Sequence, residues 1–222
     1  MPSPDSGGAR VSGVSPTSTG RRAEYAELTR QAIITAAREL FAENGYFATT
    51  INQIAGRARV APATVYAVTG GKHGLIAILV EQWSTAPIVA ERGARISAAR
   101  DPRDVLRLTA EVVRDMRIEY GDIMHTARNV APHDKAVAES LNAANIRYRS
   151  ALDGVAEHLN TLGALGVEVD VACDVLWFYF GYTGFATLVN ENGWTYDDAA
   201  TWLTAQAAQA LKLDDASPPH PR

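Results

Sequence analysis

The sequence predicts an all-α fold, on three observations. Apolar residues recur three and four apart through most of the 222-residue chain, as on the buried faces of helices. No stretch alternates apolar and polar residues over the length of a strand. The segment Thr50–Tyr66, TINQIAGRARVAPATVY, holds two short helical patterns separated by too few residues for anything but a tight turn.

Taken in order, residues 1–22 are rich in Ser, Pro and Gly and almost free of large apolar side chains, a composition that predicts a disordered tail. Arg10, Arg21 and Arg22 are candidates to reach an adjacent minor groove; the competing reading is a solvated arm. A first helix is expected from about Tyr25 to Asn44, with Ile33, Ala36, Ala37, Leu40 and Phe41 on one face and Gly45 just past its end. Tyr46 and Phe47 add aromatic bulk to a small core that includes Ile51, Ile54, Val60 and Val65.

Thr50 is a favourable N-cap for the second helix, and Ile51, Ile54, Ala55 and Ala58 follow at i, i+3, i+4 and i+7. Arg59, Val60 and Ala61 supply the turn. Pro62 sits in the first turn of a third helix, where its missing N–H costs nothing, and Val65 and Val68 form the next buried stripe. Small side chains at Ala55 and Ala58 let the two helices approach closely. This is the pattern of a DNA-binding helix-turn-helix, whose second helix enters the major groove.

Gly70-Gly71 ends that helix. Lys72 opens another through Leu75, Ile76, Leu79, Val80 and Trp83, which Pro87 kinks or ends. Lys72 and His73 stand at a helix N-terminus, whose free N–H groups suit a phosphate. Asp101-Pro102 starts a helix carrying Val105, Leu106, Val112, Val113 and Met116, and Gly121 is expected to separate it from a short helix between Asp122 and Asn129. Ala131-Pro132 is expected to open a long helix through Leu159. After a loop containing Gly163 and Gly166, two helices are expected at about Asp170 to Glu191 and Tyr196 to Leu213, the latter capped by Thr195. Residues 214–222 read as a fraying tail.

Composition narrows the function classes. A hydrophobic content of 47% suffices for a sizeable core, yet no run of 18 apolar residues predicts a membrane span. The N-terminus lacks the apolar region of a secretory signal, so a cytoplasmic protein is expected, nucleoid-associated when bound to DNA. One cysteine, Cys173, excludes an internal disulfide and a cysteine-based metal cluster. The net charge of −4 divides into +3 over residues 1–75 and −7 over the rest, which suits a head that meets phosphates. His73, His125, His133, His158 and His220 show no metal-ligand spacing, and there is no phosphate-cradling glycine loop. No catalytic site, metal or cofactor is expected.

Residues 30–75 resemble the N-terminal domain of the tetracycline-repressor (TetR) family. The resemblance rests on AARELFAENGY, on T-T-I-x-x-I-A, on the alanine four residues before the turn, on T-V-Y, and on Lys72 after two glycines. Three positions depart from it: Arg59 replaces the turn glycine, Ala61 the serine before the third helix, and Thr69 an aromatic. An arginine held at positive φ costs on the order of 1 kcal/mol, and Ala61 is a poor cap.

The resemblance implies a three-helix helix-turn-helix domain at 23–71 and a helical ligand-binding and dimerisation domain at 72–213. It also implies a homodimer on a palindromic double-stranded DNA operator, acting as a repressor released by an unknown small-molecule effector. The rival reading is a helical small-molecule-binding protein, or an activator, with weak or altered DNA binding.

The expected DNA-binding residues are Thr50, Arg57, Arg59, Ala61, Pro62, Ala63, Thr64, Tyr66, Lys72 and His73. Among them the resemblance implies phosphate contacts from Thr50, Thr64, Tyr66 and Lys72. Pro62 offers only apolar contact, for example with a thymine methyl, while Arg57 and Arg59 are the nearest long donors. The competing readings are an N-cap alone for Thr50 and a core aromatic for Tyr66. Candidate effector-pocket residues are Trp83, Met116, Tyr120, Met124, His125, Arg128, Tyr148, Trp177, Phe178 and Phe185, bulky side chains several of which have polar tips. Core packing is the alternative for each. The resemblance further implies that the last two long helices pair with their mates as a four-helix bundle. Gly181, Gly184, Leu188, Trp202, Leu203, Ala207 and Ala210 are then the expected interface, against an ordinary monomer core.

Overall fold

The computed structural model describes residues 18–213, and among them every regular element is a helix. Arg10 and residues 214–222 lie outside the described part. α1 (Ser18–Asn44) begins seven residues earlier than expected, so Arg21 and Arg22 lie on a helix rather than in a tail. The helix extends outward from its packed stripe through good helix formers such as Arg21, Arg22, Ala23 and Glu24. Tyr25 and Leu28 are exposed, and deep burial begins at Ile33.

Thr50 caps α2 (Ile51–Ala58) reciprocally. Its hydroxyl accepts from the Gln53 N–H at 3.2 Å, and the Gln53 side chain accepts from the Thr50 N–H at 2.8 Å. Arg59 then takes the left-handed conformation at φ 58°, the strained position that its side chain makes costly. α3 (Pro62–Thr69) begins with Ala61, which offers no side-chain cap, and Pro62 at the first helical position. Phe47 is not in the core: it is 64% exposed and meets the rings of Tyr46 and His133 edge-on at the surface.

Thr69 packs into the junction to α4 (Lys72–Ser84). It is buried, its hydroxyl donates to the Val65 carbonyl at 2.8 Å and accepts from the Gly71 N–H at 3.3 Å. Gly74 completes the junction, because a Cβ there would lie 1.7 Å from the Thr69 carbonyl oxygen.

α4 ends at Ser84, just short of Pro87, as expected: Ala86 is held out of the helical region at ψ 130° before the proline, which opens α5 (Pro87–Ala98). α6 (Pro102–Val130) is capped by Asp101 and runs unbroken through Gly121, contrary to the expected break. A glycine inside a helix weakens it by only about 1 kcal/mol, which packing on both sides outweighs. A 3-10 turn at Ala131–His133 follows, and Asp134, not Ala131-Pro132, starts α7 (Lys135–Thr161) by accepting from the N–H groups of Ala136 and Val137. The helix expected between Asp170 and Glu191 is three pieces: α8 (Val169–Phe180), α9 (Tyr182–Ala186) and a π-helical turn, Thr187–Glu191. The break falls at Gly181, where a Cβ would stand 2.2 Å from the Trp177 carbonyl. α10 (Tyr196–Ala210) is capped by Thr195 and ends earlier than expected.

The buried apolar cluster is continuous from Ile33 of α1, through Leu75, Ile76 and Leu79 of α4, to Ala207 and Leu211 at the far end. The head and the body therefore share one core. Among the described residues, no single helix is long and apolar enough to cross a membrane.

Candidate DNA-binding surface and internal cavities

The head presents an outward tip with little charge. Ala61, Pro62, Ala63 and Tyr66 are exposed along α3, with Thr64 half-buried between them. Tyr66 is 57% exposed, which removes the core-aromatic reading for it. Thr50, Arg59 and His73 are exposed around this tip.

Two expected DNA-facing cations are instead engaged within the head. The Arg57 guanidinium forks onto Glu43 at 2.9 and 2.8 Å and adds a 3.1 Å bond to Glu39, tying α2 to α1. This bonding holds the Glu43 carboxyl below the usual carboxylate range. Lys72 donates to the carbonyls of Tyr46 at 2.6 Å and Thr49 at 2.7 Å, and its ammonium lies 4.3 Å from the centre of the Tyr46 ring. Burial lowers its pKa. Lys72 thus satisfies the loop carbonyls between α1 and α2 and fixes α2 over α4. Its partners lie more than twenty residues away, beyond the reach of local sequence patterns.

Among the described residues, three partly open cavities border the body. The first, about 330 Å³, lies among α4, α5, α6 and α7 and is bordered by Trp83, Met116 and Tyr148. The second, about 760 Å³, lies among α6 to α10, with Met124, Arg128, Trp177 and Phe178 on its walls. The third, about 400 Å³, reaches from α1 across α6 and is bordered by Phe41, Asp122, His125 and Phe185. Nine of the ten expected pocket residues border one of these spaces. Tyr120 does not. It lies in a surface hollow with Pro87 and Ile118, and the Arg38 guanidinium sits 5.8 Å from its ring centre. Phe178 is 72% exposed and stands at the mouth of the second cavity.

The sequence reasoning missed Arg117, which borders all three cavities and is only 4% exposed. It stands in register with Leu106, Ala110, Val113 and Met124 on the buried stripe of α6. A charged residue in the middle of an apolar stripe is the signal that finds it.

Residues 33–77 match the family model for bacterial regulatory proteins of the tetR family. The head is a tetR-family DNA-binding domain. No curated protein matches the chain. Several solved structures share the fold over about four-fifths of this chain. A structure from Syntrophomonas wolfei assigned to TetR-family transcriptional regulators is 17% identical, with TM-score 0.68 over 83% of this chain and 96% of that one. FadR from Bacillus subtilis, solved in complex with stearoyl-CoA, is 18% identical, with TM-score 0.67 over 82% and 98%. PfmR from Thermus thermophilus is 19% identical, with TM-score 0.62 over 81% and 97%. The head that matches the tetR-family model and the helical body together have the fold of a TetR-family transcriptional regulator.

In this TetR-type fold the expected interface residues divide. Leu188, Leu203 and Ala207 are buried within their own chain, and Ala210 is half-buried. Gly181 permits the bend after α8, and a Cβ on Gly184 would meet the Tyr179 carbonyl at 2.9 Å and Leu203 at 3.4 Å. Both glycines are explained inside one chain. Trp202 does face outward, beside Trp194 at 6.0 Å between ring centres, and Val171 and Phe178 lie exposed on the neighbouring α8.

Proposed function

We propose that the protein is a homodimeric transcription regulator that binds paired DNA half-sites and is a repressor released by a small-molecule effector. The observation that carries this reading is the joining of an outward helix-turn-helix to a cavity-bearing body through one continuous core. The exposed apolar faces of α8 and α10 support a dimer, because a two-fold arrangement of such faces buries them and spaces two recognition helices about one DNA turn apart. The complex of Bacillus subtilis FadR with stearoyl-CoA supports a small-molecule role for a body of this fold. The proposed division is a DNA-binding unit over 23–71 and a sensing and pairing unit over 72–213, at work in the cytoplasm.

Release follows from geometry. A ligand that moves α4 or α6 alters the spacing of the two recognition helices, and a shift of a few ångströms spoils simultaneous contact with both half-sites. The rival reading, a helical carrier without DNA binding, draws on the internal engagement of Arg57 and Lys72. Genome-wide mapping of bound DNA, followed by gel shifts on the recovered sites, separates the two. A regulator yields a recurring palindrome that Tyr66→Phe binds more weakly whatever the sequence. A carrier yields no enriched sites and no retention on heparin.

A further inference from the structure

Arg117 carries a full positive charge, is 4% exposed, and among the described residues has no carboxylate partner. Its terminal nitrogens meet only the Met124 sulfur at 2.8 Å, the Tyr148 hydroxyl at 3.4 Å and the Phe180 carbonyl at 3.3 Å, the last two at the long end of hydrogen bonding. The Tyr148 hydroxyl already donates to the same carbonyl. The Nε atom is buried with no partner at all. The rings of Tyr148 and Tyr182 lie 5.5 and 5.6 Å from the guanidinium carbon, and Arg128, eleven residues on along the same face of α6, sits 4.5 Å from the Tyr182 ring. Aromatic faces and one helix-end carbonyl offset part of the charge. They do not replace an anion, and burying an uncompensated cation is costly.

By contrast, the neighbouring acids are committed elsewhere: Asp115 to Arg92 and Arg114, Asp122 to Arg38, Asp174 to Arg149. The walls around Arg117 are otherwise mainly apolar and aromatic, including Trp83, Met116 and Trp177. We infer that the cavity ligand is an anionic molecule with an apolar body, its carboxylate, or an equivalent acidic group, received by the Arg117 guanidinium, whose Nε–H is without a partner. This names the chemical class for the sensing role proposed above and rests on that role only in treating the ligand as an effector.

The test is direct binding to the purified full chain, with no DNA present, read by titration calorimetry. The probes are decanoate and 2-naphthoate, each against a neutral counterpart, decanol and methyl 2-naphthoate. The expected result is that at least one anion binds tenfold or more tighter than its counterpart. Arg117→Met then removes that preference while keeping the neutral affinity within threefold, and Arg117→Lys keeps part of it. Thermal unfolding of the empty protein gives a readout independent of the probes: Arg117→Met melts at or above the unsubstituted chain, since the buried charge has no counter-charge to lose. The inference is overturned if neither anion is preferred over its counterpart, if Arg117→Met keeps the preference, or if that variant melts well below the parent. Anion binding that leaves operator affinity unchanged would count against the regulator reading and not against this one.

Discussion

Arg38 of α1 and Asp122 of α6 are joined by two parallel hydrogen bonds of 2.8 and 2.9 Å. The Arg38 guanidinium also reaches the Glu119 carbonyl, and the bond to Asp122 raises its pKa. Asp122 borders the third cavity, so a wall of the sensing body directly holds the long helix of the head. Both side chains are about one-third exposed, which moderates the strength of the pair. Asp122→Ala is expected to cost about 1–2 kcal/mol in urea unfolding and to speed amide exchange in α1 without changing α7. Unchanged exchange in α1 would show that the pair does not couple the two parts.

Arg59 occupies a left-handed position that glycine adopts without strain. Arg59→Gly is expected to stabilise the protein by about 1 kcal/mol, seen as a higher melting temperature. A neutral result would place the cost of the arginine elsewhere.

Gly74 is required by the close approach of α4 to the end of α3. A methyl group aimed at the Thr69 carbonyl must displace the helix, so Gly74→Ala is expected to cost about 2 kcal/mol or more and to weaken DNA binding at the same time. Gly93, with open space around its Cβ position, serves as the control, and its alanine variant is expected to bind and melt normally.

Phe178 and Trp202 hold the outward faces of α8 and α10. Introducing glutamate at either position is expected to yield monomers in sedimentation at micromolar concentration, with little change in helical content. Leu203→Glu is expected instead to unfold the chain, since Leu203 is in its own core.

Burial, with Asp153 nearby, pushes the Cys173 thiol up to about 11. A free thiol ionises near 8.5, so the unfolded chain loses its proton first. This group's contribution to stability is intact below roughly pH 8 and is lost as pH rises toward about 11. The difference in unfolding free energy between the parent and Cys173→Ala is expected to shift in that sense between pH 8 and 10. Alkylation of the folded protein at pH 8 is expected to run about a hundredfold slower than that of a free thiol.

How much the sequence disclosed depended on how local the cause was. Helix starts were legible at Thr50, Asp101 and Thr195, each bonded to an N–H two or three residues ahead, but not at Asp134, which caps α7 in the same way behind the competing signal of Ala131-Pro132. Glycines at helix ends, Gly45 and Gly70, were legible, but Gly121 and Gly181 were not, because the same residue continues α6 at one and breaks the chain at the other, and the difference lies in what packs around each. The roles of Arg57 and Lys72 hinge on Glu43, Tyr46 and Thr49, partners fixed only by the fold. The outward residues Pro62, Ala63 and Tyr66 were legible because the turn and the proline set the phase of α3. At Gly181 and Gly184 nothing in the sequence distinguishes close approach to a partner chain from close approach within one.

The internal use of Arg57 and Lys72 bears on how DNA binding answers to ionic strength. Each phosphate neutralised by a protein cation frees condensed counterions, and the number freed sets the slope of affinity against salt. Arg57 and Lys72, which already face carboxylates and carbonyls, add little to that number. The affinity of the head is expected to fall only gently as salt is raised, with fit to groove shape and methyl groups supplying much of what charge supplies in more basic heads.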